Sequence, residues 1–361
     1  MRMLISGYYG FDNLGDEAIL AALVQELRRW PEVEPVVLSQ KPSLTEEVYG
    51  VAAVARDSIL GLWEEMGRAD LLLSGGGGLF QNSTSQLSLV YYLSILELAA
   101  RRGTPYVVLG QGLGPLRGPG VMGLMRRYLE KAEAVVLRDA ESVRLTREMG
   151  VAPGKVTEAA DLALLLQPAG SQVAEALRQS VGLAPDQPVA GVVLRSWGGR
   201  EPWEATAEMI DTLQARGVRC LLLPFQPTDV ALAWRIASAT QEEPAVLGNP
   251  VAPAEMLALV GTLEMMVTMR LHGLIFAAAQ QVAALGLSYD PKVAAFAGQA
   301  GQKLLPLEKL TGQTLSIAAS EVWEAREAQA TARAEEAKRL RQSAAVNFEV
   351  LGEVIDGLGK G

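Results

Sequence analysis

The chain has 361 residues, 49% of them hydrophobic and 20% charged, which suits two soluble domains of ordinary size rather than one core. A net charge of −9 argues against a general nucleic-acid binder, which needs basic surface, yet leaves room for a local basic site that takes a small anion. A single cysteine, Cys220, and a single histidine, His272, exclude an internal disulfide and any zinc site built from several of either; nothing points to another metal or to an organic cofactor.

The first half alternates strand and helix. Strands are expected at 3–6, 35–39, 71–74, 106–110 and 134–137, with helices at 17–29, 87–101, 121–131 and 140–149. Residues 166–171, which include Pro168, Gly170 and Ser171, read as a linker. The same grammar then restarts, with strands at 189–194, 218–223, 265–268 and 282–287 and helices at 205–216, 230–239, 254–260 and 274–280. Continuous apolar strands between amphipathic helices predict parallel sheets covered on both faces. The expectation is an α/β protein of two doubly wound, Rossmann-like domains, residues 1–167 and 172–318. A ligand cleft is expected between them, at the carboxyl ends of the strands. A charged helical tail, 319–361, is expected to pack back on the body.

The opening residues, Met1 to Gly7, lack the long apolar core of a signal peptide, and the stretch Leu87 to Ala100 carries Glu97 and is too short to cross a bilayer. The expected location is the cytoplasm, with room for peripheral contact with the inner face of the membrane.

The chain's only histidine lies in Thr268-Met269-Arg270-Leu271-His272-Gly273, between a strand-like and a helix-like run. Imidazole is suited to moving a proton near neutral pH, and the neighbouring arginine suits an anion. Arg138, Arg195, Arg270 and Lys292 each follow a strand, where a doubly wound fold builds its site. Together with His272 they suit a small polyanion carrying carboxylate and phosphate. Gly7-Tyr8-Tyr9-Gly10-Phe11-Asp12-Asn13-Leu14-Gly15-Asp16-Glu17 follows the first strand. Asn13 and Asp16 are helix-capping types, and Asp16 directly precedes the expected helix. The aromatic residues suit contact with a sugar. The run Gly75-Gly76-Gly77-Gly78 is not a dinucleotide fingerprint, but its backbone N–H groups are placed to face a ligand, and Gln111 in Gly110-Gln111-Gly112-Leu113-Gly114-Pro115 is expected to point the same way. Tyr9, Asn13, Gly76, Gly77 and Gln111 form the expected acceptor side.

The strings GYYGFDNLGDEAIL, LSGGGGLF, GQGLGP, LRDAES, MRLHG and YDPKV resemble those of polysaccharide pyruvyl transferases of the CsaB type, over nearly the whole two-domain body. The resemblance implies a fold like the two-domain GT-B glycosyltransferases and transfer of pyruvate from phosphoenolpyruvate to a saccharide as a ketal. It implies a lipid-linked acceptor containing N-acetylmannosamine, a precursor of a secondary cell-wall polymer that anchors S-layer proteins. His272 and Asp16 would be the catalytic groups, and Arg138, Arg195, Arg270 and Lys292 would bind the donor. No step requires a metal or a cofactor. The competing readings are a GT-B glycosyltransferase or sugar-nucleotide epimerase, and a silent sugar-binding module.

Overall fold

The structure, a computed structural model, describes residues 1–83, 85–197 and 202–359. The chain divides into two units, Met1–Leu166 with Arg341–Gly361, and Gln167–Leu340.

In the first unit the apolar runs become β1 (Arg2–Tyr9), β2 (Glu34–Ser39), β3 (Ala52–Ala55), β4 (Leu71–Ser74), β5 (Gly77–Phe80), β6 (Tyr106–Leu113), β7 (Ala134–Leu137) and β8 (Val156–Glu158). Between them lie α1 (Leu14–Leu27), α2 (Pro42–Tyr49), α3 (Ile59–Arg68), α4 (Gln86–Arg102), α5 (Val121–Lys131) and α6 (Ala140–Met149). The strands pair in the order β3-β2-β1-β4-β6-β7-β8, all parallel, with β5 added to β6. The order reverses between β1 and β4, which makes the loops after those strands the natural ligand crevice of this unit.

The second unit contains α7 (Ser171–Ser180), β9 (Val189–Val193), α8 (Trp203–Gln214), β10 (Arg219–Leu222), α9 (Pro227–Ala237), β11 (Ala245–Val246) and α10 (Pro253–Val260). It continues with β12 (Met265–Thr268), α11 (Leu271–Ala279), β13 (Ala283–Ser288), α12 (Pro291–Gln299), β14 (Lys303–Pro306) and α13 (Gly312–Ala325). Its parallel sheet runs β11-β10-β9-β12-β13-β14, and its switch point lies between β9 and β12. Cys220 is buried in β10. The helix α11 is buried on every side from Gly273 to Ala279, so the residues at its start are held by the core.

Several local expectations need correction. The first helix begins at Leu14 with Asn13 as its cap, so Asp16 lies inside its first turn. Ser171, read as linker, opens α7. The tail is two helices, α13 and α14 (Ala330–Leu358). Up to Leu340 the tail groups with the second unit, where Arg333 Nε donates to Gln281 O at 2.8 Å. From Arg341 it groups with the first, where the buried Asn347 Nδ2 donates to Ala160 O at 3.0 Å and Phe348 stacks on Trp30. Among the described residues, no helix is long and apolar enough to cross a membrane.

Tyr9, expected on the acceptor side, is fully buried. Its ring occupies space that two glycines leave open: a Cβ at Gly7 would stand 2.2 Å from Tyr9 Cζ, and one at Gly75 would stand 2.4 Å from the hydroxyl. That hydroxyl has no hydrogen-bond partner among the described residues. Burial pushes its pKa well above 10, so it stays protonated. An unsatisfied buried hydroxyl costs stability, while the ring contributes packing. Tyr9→Phe should therefore match or exceed the parent in thermal melts, whereas Tyr9→Ala should cost about 3–5 kcal/mol in urea unfolding.

Candidate functional site

The second unit places its basic residues on neighbouring strand ends. Thr268 at the end of β12 pairs with Val193 at the end of β9 and with Gly286 in β13. Arg195, Arg270 and Lys292 follow these three strands, and His272 is the second residue of α11.

The local sequence explains how Arg270 is fixed. Thr268 Oγ1 accepts from Arg270 N at 3.0 Å and donates to Arg270 O at 3.1 Å, which pins the turn. Gly273 gives that hydroxyl room, since a Cβ there would stand 2.3 Å from it. The Arg270 side chain, only 8% exposed, donates from Nη2 to Asp229 Oδ1 at 2.5 Å and to Gln226 Oε1 at 2.9 Å. Asp229 is itself held at the start of α9, where its Oδ2 accepts from Phe225 N at 3.1 Å and Gln226 N at 3.0 Å. Arg270 Nε has no partner among the described residues, nor has Arg195 Nε, and both are shielded from solvent. Arg195 lies over the rings of Trp197 and Tyr289 and donates from Nη1 to Tyr289 Oη at 3.3 Å. His272 and Lys292 are half-buried at the starts of α11 and α12, and Asp290 caps the latter by accepting from Lys292 N at 2.9 Å.

The first unit holds the remaining candidates. Arg138, after β7, is buried and donates from Nη1 to Asp161 Oδ2 at 2.7 Å. Gly112 lets it lie against β6, since a Cβ there would stand 2.8 Å from Arg138 Nε. Asn13 is half-buried and its Nδ2 donates to Asp16 Oδ2, with Asp16 8% exposed. Glu17, which sequence reasoning passed over, braces the loop: its carboxylate accepts from Gly10 N at 2.8 Å and Tyr49 Oη at 2.7 Å.

Two expectations about the glycine loops are corrected. Gln111 is fully buried and braces the backbone: it accepts from Leu79 N at 3.3 Å and donates to Gly75 O. It does not face a ligand. Gly76 and Gly77 are buried too; a Cβ at Gly76 would press on Ile19 and Leu162, and Gly77 pairs with Gln111 in the sheet. These glycines serve close packing, not a phosphate cradle.

The carboxylates Asp161 and Asp229, which pair with Arg138 and Arg270, are not apparent in the sequence. Asp229 carries a weak signal, as the third residue of a helix beginning at Pro227, but its partner lies 41 residues away. Among the described residues, no group of three or more His, Cys, Asp or Glu could hold a metal ion.

Two parallel, doubly wound units define a GT-B-like architecture, and solved structures agree on the fold. UDP-GlcNAc 2-epimerase from Neisseria meningitidis, bound to UDP-GlcNAc, superposes with a TM-score of 0.67 at 11% identity, covering 98% of this chain and 100% of that one. S. aureus MnaA with UDP gives 0.63 at 12% identity, covering 89% and 87%. Anabaena HepE in complex with UDP and glucose gives 0.61 at 15%, covering all of both chains. No match is found among the curated proteins. A model of the polysaccharide pyruvyl transferase family matches residues 13–291, and the chain belongs to that family.

Two measurements test the struts of this site. Asp229→Asn leaves the buried Arg270 charge without its counter-charge and should lower stability by about 3–5 kcal/mol in urea unfolding. Glu17 supplies the second: burial pushes its carboxyl above the usual 4.5, against the opposing bonds from Tyr49 and Gly10. A carboxyl raised in the folded state contributes stability that is fully present below its unfolded value and lost as pH rises through the folded one. The parent should therefore gain on Glu17→Gln as pH falls from neutral toward 4.5, read from unfolding midpoints across that range.

Proposed function

We propose that the protein transfers pyruvate from phosphoenolpyruvate to a saccharide as a ketal. The observation that carries this reading is the pair of buried arginine Nε–H groups, on Arg195 and Arg270, that have no partner among the described residues, at the β9/β12 switch point beside the chain's single histidine. Buried donors of this kind favour an anionic ligand. Phosphoenolpyruvate carries a carboxylate and a phosphate on adjacent atoms, and Arg195, Arg270 and Lys292 would hold them. The positive end of the α11 helix dipole favours the same charge. Arg138, at a strand end of the first unit, is assigned to the donor as well.

Ketal formation moves one proton to the methylene carbon C3 and leaves C2 electrophilic. One sugar hydroxyl adds to C2 and loses its proton. The C2–O bond to phosphate breaks, the phosphate departs, and a second hydroxyl closes the ring with loss of its own proton. His272 is assigned as the acid or base of these transfers, and the cations stabilise the departing phosphate. Asp16 is the second catalytic candidate, and Asn13 stays with it on the acceptor side. The first unit takes the acceptor, a lipid-linked saccharide with N-acetylmannosamine as the reading of choice. This is the CsaB-type step in making a secondary cell-wall polymer for S-layer anchoring, carried out at the cytoplasmic face of the membrane.

Likeness to UDP-sugar epimerases favours one alternative, a nucleotide-sugar enzyme on the same scaffold. Phosphate release from phosphoenolpyruvate, with a matching gain in acceptor mass, supports pyruvyl transfer; turnover of UDP-GlcNAc in its place overturns it. Within that assay His272→Ala should lose roughly 10²–10⁴-fold in turnover. His272→Gln keeps a hydrogen bond but cannot relay a proton, so it should be equally slow while still binding phosphoenolpyruvate. Near-parent turnover of the glutamine variant would reduce His272 to a ligand for phosphate.

A further inference from the structure

The outer helices of the first unit carry a feature that transfer chemistry does not use. Ile59 and Leu60 in the first turn of α3 are 81% and 77% exposed, and Leu87 in the first turn of α4 is 80% exposed. Trp63 and Val90 are exposed beside them in sequence. Single exposed apolar side chains are ordinary, but five on two helices packed together are not.

Arg56, which follows β3, links the approach to α3 with the second turn of α4. Its guanidinium lies 4.0 Å from the Tyr91 ring centroid, 4.8 Å from Phe11 and 5.5 Å from Tyr92, and Tyr91 Oη donates to Arg56 O at 2.9 Å. Trp63 carries Arg102 over its ring at 4.5 Å. Among the described residues neither guanidinium is paired with a carboxylate. The surrounding sequence is unusual for a chain of net charge −9. Residues 71–96 contain no charged side chain. Asp57 and Glu64 lie at and on α3, so apolar insertion leads and phosphate contact follows.

We infer that this face docks on a lipid bilayer. Ile59, Leu60 and Leu87 enter the acyl layer, Trp63 sits at headgroup level, and Arg56 and Arg102 meet lipid phosphates. The inference rests on the reading of the acceptor as lipid-linked, because such an acceptor is presented at a membrane surface. Apolar side chains beside two ring-stacked guanidinium groups match an anionic bilayer, whereas a symmetric second copy of the same face would set like charges together.

The test is flotation of the full chain with phosphatidylcholine/phosphatidylglycerol vesicles. The parent should float with the vesicles, and its tryptophan emission should shift to the blue; Trp63→Phe should remove most of that shift. Leu60→Gln combined with Leu87→Gln changes only exposed positions and should cut vesicle partition at least tenfold, with thermal melting and turnover of phosphoenolpyruvate with a water-soluble acceptor unchanged. A parent that does not float, or a double variant that floats equally well, overturns the inference. So does a concentration-dependent dimer, seen without vesicle binding, that the double variant makes monomeric. Vesicle binding without pyruvyl transfer would remove the proposed function and leave the surface standing; transfer to soluble acceptors without vesicle binding would do the reverse.

Discussion

A guanidinium withdrawn from water must be given a partner, and the second unit is arranged around that requirement. Arg270 and Asp229 are both nearly inaccessible, so each makes the burial of the other tolerable. Asp229 is held by two backbone N–H groups at the start of α9, and Arg270 is held through its backbone by the Thr268 hydroxyl. Because α11 is buried all round, this lattice of contacts also fixes where His272 stands. Pairing consumes one terminal nitrogen of Arg270 and leaves Nε without a partner among the described residues, which is what the proposed function uses.

Much of this was readable from the sequence because it rests on local pattern. The strands at 71–74, 134–137 and 265–268 are short apolar runs, and the structure keeps those bounds. The placement of Arg195, Arg270 and Lys292 beyond strand ends follows from the same pattern. What escaped was non-local. Asp161 reaches Arg138 across 23 residues and Asp229 reaches Arg270 across 41, and no spacing rule connects such pairs. The strand β3 and helix α3 were missed since Ala52–Ala55 is short and alanine-rich and α3 exposes its apolar start. The glycine run misled for a physical reason: glycines beside a phosphate and glycines beneath a packed side chain look identical in one sequence.

The match to epimerases at 11–12% identity separates scaffold from chemistry. Parallel sheets with a reversed strand order create a crevice whatever the ligand, and loops of a few residues decide what it holds. In this chain those loops are specified by contacts that a fold comparison does not see: the Thr268 pin, the room left by Gly273 and the acids behind Arg138 and Arg270.

The Tyr9 ring seated over Gly7 and against Gly75 bears on how the family can diverge. Three positions, two of them in β1 and one after β4, share one volume, so none is free to drift alone. A larger residue at 7 or 75 has no space while the ring remains, and loss of the ring leaves a hole that only larger residues at those glycines could refill. Across relatives these positions should therefore change as a set, with the intermediate sequences penalised. The tight packing of one aromatic side chain thus becomes an evolutionary constraint on β1 and on the segment after β4.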